Sequence, residues 1–288
     1  MVYLENEFIK AGFANKGAEL QQIINVKNGE NYLWKGDPTF WGKFSPILFP
    51  IVGGLKDDTY TYQGKSYKLS RHGFARDKEF ELKEHNSDEL LFVLSATPDT
   101  LAVYPFEFKL AIRYKLLESS IICTYEVLNP TDNELLFSIG AHPAFSIDTS
   151  GGVSYSDYYL QFSDDSVIEY HEIEKDLISN KTHKIELDNG KLALTHELFY
   201  NDALVFKTLK SEKISLGNTK NNNKIDFEFQ DFPYFGIWAA KDADFICLEP
   251  WCGIADIAGH NGALEDKEGI IKLHSNETFT RTWSVSIT

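Results

Sequence analysis

The chain has 288 residues, with 28 Lys plus Arg against 43 Asp plus Glu and a formal net charge of −15. An acidic balance of this size excludes a nucleic-acid backbone or an anionic membrane as the main partner, because both require a basic face. An apolar fraction of 43%, with 21 Phe, 14 Tyr and 5 Trp, excludes a disordered chain and is ample for a large core.

The first fourteen residues are interrupted by Glu5, Glu7 and Lys10 and lack the unbroken apolar stretch of a secretory signal. Alternating apolar and polar residues predict strands over 3–11, 19–26, 60–67, 79–85 and 90–96, punctuated by Asn28-Gly29, Gln63-Gly64 and Asn86-Ser87-Asp88. The most apolar segment, 46–55, contains Pro50 and Gly53-Gly54 and falls short of the ~18 residues a membrane span needs. These features predict a soluble, cytoplasmic protein. A short helix is expected at 97–104, with Pro98 in its first turn and Pro105 ending it. From Phe106 the even positions to Leu116 are apolar and the odd ones are mostly charged. After Glu118-Ser119-Ser120, alternation resumes at Ile121, Cys123, Tyr125 and Val127, which predicts an antiparallel hairpin.

A turn at Asn189-Gly190 and a helical turn at 195–200 follow. Strands are then predicted at 225–229, 234–240, 245–248 and 279–287, with a second helical turn at 267–271. The polar run 218–224 reads as a hairpin loop. No linker or repeat is visible, so one domain over residues 1–288 is expected: all-β, a large antiparallel sandwich or barrel with a few short helices. Cys123, Cys247 and Cys252 have no zinc-like spacing and read as small buried hydrophobes.

Three segments carry candidate chemistry. His72 lies in Ser70-Arg71-His72-Gly73-Phe74-Ala75-Arg76-Asp77, where two guanidiniums disfavour the imidazolium and Gly73 permits close approach of another group. Such a loop can present an imidazole and guanidiniums to an oxygen-rich ligand, and it also reads as a surface turn with an Arg–Asp pair. His142 interrupts an apolar stretch just before Pro143, a residue excluded from the middle of a fully paired sheet; a satisfied core histidine is the alternative. Glu249 ends the apolar run 245–248 beside Trp251, where desolvation raises a carboxyl toward the value a general base requires. It could equally pair with Arg71 or Arg76 as a structural ion pair. A metal triad of His72, His142 and Glu249 is conceivable, but the wide separation and the lack of a His-x-His pair argue for no metal. Phosphate-cradling glycine motifs and a Gly-x-Ser-x-Gly elbow are absent.

Taken in order, SPILFPIVGGLKDDTYTYQGKSY, RHGFARD, GAHPAF, LEPWCGIAD and EDKEGIIKL resemble the aldose 1-epimerase (galactose mutarotase) family, in its LacX-like branch. The resemblance runs from about Phe40 to the C-terminus. It implies a β-sandwich of the galactose mutarotase type that interconverts sugar anomers without a cofactor. On this reading Glu249 is the base and His142 the acid, facing each other across a cleft one sugar wide, and His72 holds the ring oxygen. Trp251, Trp238 or Phe235 would stack on the sugar, with core packing as their other role. Many relatives carry Gly-Arg where this chain has Gly54, and Lys56, Arg71 or Arg76 is expected to stand in. Arg76 is a candidate for a phosphate or a hydroxyl, so a hexose and a hexose phosphate both remain open, as do a monomer and a homodimer. The competing functions are a non-catalytic sugar-binding module on the same scaffold and a metal-dependent barrel enzyme.

Overall fold

The alternation in the sequence becomes two large antiparallel sheets in the computed structural model, which describes residues 1–288. In the predicted hairpin, Lys109–Leu117 pairs with Ser120–Leu128, Ser120 lying opposite Leu117. Ile121, Cys123, Tyr125 and Val127 are buried, and the residues between them are only half-buried. Thr278–Ile287 pairs along the other side of Ser120–Leu128, and these strands lie at the middle of a nine-stranded sheet.

The second sheet has eight strands and carries the site. Its order is Leu177–Glu186, Val167–Glu174, Leu204–Phe206, Tyr234–Trp238, Phe245–Cys252, Ile139–Ala141 and Ile47–Leu48, with Ala144–Ser146 also paired to Phe245–Cys252. Phe227 of the first sheet meets Phe145 and Phe235 of the second at ring-centroid distances of 5.7 and 6.4 Å. Leu204, Phe206, Phe235 and Leu248 belong to this main core, whereas their alternates Val205 and Trp251 belong to a smaller apolar cluster with Ile178, Ala203 and Ala255. The period of two therefore gives the second sheet two apolar faces.

Some boundaries differ from expectation. Residues 3–11 form two strands, Val2–Glu5 and Ile9–Phe13, because the Asn6 side chain accepts from the amides of Phe8 and Ile9 and turns the chain. Residues 60–67 likewise divide at Gln63-Gly64 into Thr59–Tyr62 and Lys65–Lys68. The strand expected at 245–248 continues to Cys252, which puts Glu249 inside a strand and not at its end. No helix forms at 267–271; a single 3-10 turn, Leu264–Asp266, precedes it. The α-helix Pro98–Val103 is where expected, with Thr97 and Thr100 exchanging side-chain and amide hydrogen bonds in a capping box. No helix is long and apolar enough to cross a membrane.

Candidate active site

Because alternate residues of a strand share a face, Phe245–Cys252 carries Cys247, Glu249 and Trp251 on one side; Glu249 and Trp251 reach the cavity, and Cys247 packs with the main core. Next to it the strand Ile139–Ala141 stops, and His142-Pro143 interrupts pairing before Ala144–Ser146 rejoins. The break that Pro143 imposes turns His142 toward Glu249. His142 Nε2 lies 3.2 Å from Glu249 Oε2, and the two side chains are 10% and 2% exposed. They line a cavity of about 310 Å³, within the size range of small-ligand pockets, together with His72, Arg71, Arg76, Trp238 and Trp251.

His142 is surrounded by rings. Trp41 stacks on it at 4.9 Å, Trp238 meets it edge-on at 5.7 Å, and the ring of His72 is 5.8 Å away. Loss of water within this aromatic enclosure, then the Arg71 charge, pushes its pKa down to about 3. Desolvation pushes the Glu249 carboxyl well above its ordinary value, opposed by Arg71. Both shifts favour the uncharged form of each partner.

The expected separation of Glu249 and His142 by one sugar width is corrected: the two groups are 3.2 Å apart. A donor and an acceptor 3.2 Å apart suit a hemiacetal, whose hydroxyl oxygen and ring oxygen share one carbon. Such a pair can give a proton to one oxygen and accept from the other in the same step.

His72 owes its place to two consecutive left-handed residues. Its φ is +68° and that of Gly73 is +70°, and a Cβ on Gly73 would overlap the Phe49 carbonyl oxygen. The Gly53 amide donates to His72 Nδ1 at 3.1 Å, and the His72 amide donates to the Gly53 carbonyl at 2.9 Å. Arg71 Nε donates to His72 Nε2 at 3.2 Å, so N–H donors face both ring nitrogens and fix the plane of the imidazole. Burial and the Arg71 charge lower the His72 pKa well below its usual value, which keeps the ring neutral.

Arg71 also bonds Asp176 at 2.6 Å and approaches Asp202 to 3.8 Å, so its charge is balanced within the cavity. Arg76 Nη2 donates to the Arg71 carbonyl at 2.8 Å and so fixes the segment that carries His72. Arg76 Nε and Trp251 Nε1 are buried without a hydrogen-bond partner. Two expected contributors lie elsewhere. Phe235 points into the main core, 4.2 Å from the Phe229 ring, because it alternates with the cavity face. Lys56 is exposed and does not line the cavity.

Sequence reading missed Trp41, Asp176 and Asp202, which reach the cavity from distant loops and carry no local motif. It also missed Asp256, which ties the walls together. The Asp256 amide donates to the Gly54 carbonyl at 2.9 Å and its carbonyl accepts from the Ile178 amide at 2.8 Å. Its carboxylate accepts from the Lys56 amide at 3.1 Å and from Lys267 Nζ at 2.9 Å. Gly54 has no room for an arginine: a Cβ there would stand 2.7 Å from the Asp176 carbonyl oxygen.

The class is a two-sheet antiparallel fold with a buried imidazole–carboxyl pair in an aromatic cavity. Residues 1–272 match the aldose 1-epimerase family, and the chain belongs to it. It is 33% identical to the chromosomal LacX protein of Lactococcus lactis subsp. lactis over 299 aligned positions, covering 99% of each. A galactose mutarotase related enzyme from Lactobacillus acidophilus superposes with a TM-score of 0.96 at 32% identity, covering 100% of this chain and 97% of the other. A galactose mutarotase-like protein from Lactobacillus casei gives 0.93 at 30% identity, with 100% of each chain covered.

Proposed function

We propose that the protein is a cofactor-free mutarotase that opens and recloses the ring of an unphosphorylated aldohexose, with Glu249 as base and His142 as acid. The observation that carries this reading is the 3.2 Å contact between two buried, titratable groups inside the cavity. Moving the carboxyl proton from Glu249 to His142 creates a carboxylate and an imidazolium together. The carboxylate takes the C1 hydroxyl proton while the imidazolium donates to the ring oxygen, and the C1–O5 bond breaks. The products are the open aldehyde and the neutral pair, with no net gain or loss of protons. Rotation about C1–C2 presents the other carbonyl face, and the same steps in reverse close the opposite anomer.

His72 and the Arg71 guanidinium, which line the same cavity, hold the ring oxygen side of the sugar. Trp238 and Trp251 offer apolar faces to the ring carbons. The neutral sugar follows from charge. Asp176 and Asp202 already balance Arg71, and Asp77 stands 3.8 Å from Arg76 Nε, so a phosphate dianion would meet carboxylates as well as guanidiniums. Arg71 and Arg76 are the guanidiniums that serve in place of an arginine beside Gly53.

Polarimetry on fresh α-D-glucose and α-D-galactose tests the proposal. The protein is expected to speed equilibration well beyond a Glu249→Gln variant. Saturable sugar binding by calorimetry with no acceleration by either protein would instead assign a binding role.

A further inference from the structure

We infer that Cys247, His142 and Glu249 form a binding site for a thiophilic divalent cation, Zn2+, which occupies the acid–base pair and blocks it. The thiol sulfur, an imidazole nitrogen and a carboxylate oxygen of these three buried residues all lie within 4.8 Å of one another. Glu249 and Cys247 share one face of a single strand, and His142 enters from the chain break beside it. The triad considered from sequence had His72 in the third place. In the fold His72 Nδ1 is engaged by the Gly53 amide, and Cys247 supplies the third donor.

Tetrahedral zinc holds N, O and S ligands at about 2.0–2.3 Å, which sets ligand atoms about 3.3–3.7 Å from each other. The 3.2 Å between His142 Nε2 and Glu249 Oε2 is just below that spacing, and the Cys247 sulfur lies within 4.8 Å of both. Three protein ligands plus one position open to the cavity is the arrangement of accessible zinc sites, and a thiolate–imidazole–carboxylate set selects Zn2+ over Mg2+ or Ca2+. Binding releases the Cys247 thiol proton and the Glu249 carboxyl proton to solvent, so affinity rises with pH. The lone pairs used for the metal are those the pair uses for proton transfer. Zinc therefore inhibits; this consequence, unlike the binding itself, rests on the proposed mutarotase reading.

The test uses the purified full chain with Co2+ and Zn2+ alone. Co2+ titration is expected to give one thiolate-to-metal absorption band per chain, which Zn2+ abolishes. Cys247→Ala is expected to remove the band and weaken Zn2+ by at least about tenfold, since even outer-shell losses cost about 10–100-fold. Mutarotation with and without Zn2+, normalised to each protein's own zinc-free rate, should show the same tenfold shift in inhibitory concentration. No cobalt band in the unaltered protein, or equal zinc affinity in the variant, overturns the site. Because the band needs no sugar, a protein inactive on every sugar leaves the metal result readable while ending the mutarotase proposal.

Discussion

Glu249 and His142 stand 3.2 Å apart, and burial pushes each toward its uncharged form. In the proposed mechanism they act as base and acid only as a pair. Glu249→Gln and His142→Asn should each lower kcat by about 10²–10⁴, the range of one positioned acid or base. Because the two act as one unit, the double variant should lose little more than the worse single one. Polarimetry on all three measures this, and multiplicative losses would mean that the groups work independently.

The pH dependence follows from the proton count. Activity needs one proton on the pair. As pH falls, a second proton arrives only as His142 titrates near 3, far below the usual 6.5. As pH rises, the pair loses its proton through a Glu249 value raised above 4.5. The acid limb of kcat/KM should therefore be absent at pH 6.5. An inflection at that pH would show a histidine exposed to water.

On the proposed reading, Arg71 serves the ligand more than the fold. Its contact with Asp176 involves side chains 40% and 60% exposed, so Asp176→Asn should change stability by no more than about 1 kcal/mol. Arg71→Met should raise KM for a free hexose at least several-fold with a thermal midpoint close to that of the parent. Glucose 6-phosphate should be a poorer substrate than glucose; the reverse preference would refute the charge-balance argument.

Asp256 and Lys267 have the opposite character. Their 2.9 Å ion pair is 1% and 0% exposed, and desolvation lowers the Lys267 pKa against the pull of Asp256. Asp256→Ala strands a buried ammonium and should cost about 3–5 kcal/mol by urea unfolding. Replacing both by leucine and methionine should recover much of that loss, although the Gly54 loop would lose its carboxylate anchor. If the single variant unfolds at the parent's urea midpoint, the pair contributes nothing.

The hairpin at 109–128 was legible because the apolar period of two survives any change of partner strand. The break at His142-Pro143 was legible because proline cannot donate to a ladder. Phe235 misled, since an aromatic residue near a site looks the same whichever face its strand presents. Lys56 misled because nearness in sequence to Gly53-Gly54 says nothing about where a side chain points.

Local chemistry determined the all-β character, the turns and three titratable candidates, for these depend on residue type and short spacing. Only the tertiary structure decided that His142 and Glu249 meet at 3.2 Å, that Cys247 lies beside them, and that Trp41, Asp176 and Asp202 complete the cavity. Those relationships join segments more than a hundred residues apart in several cases, and distance across a folded sheet is set by strand order, on which local periodicity is silent.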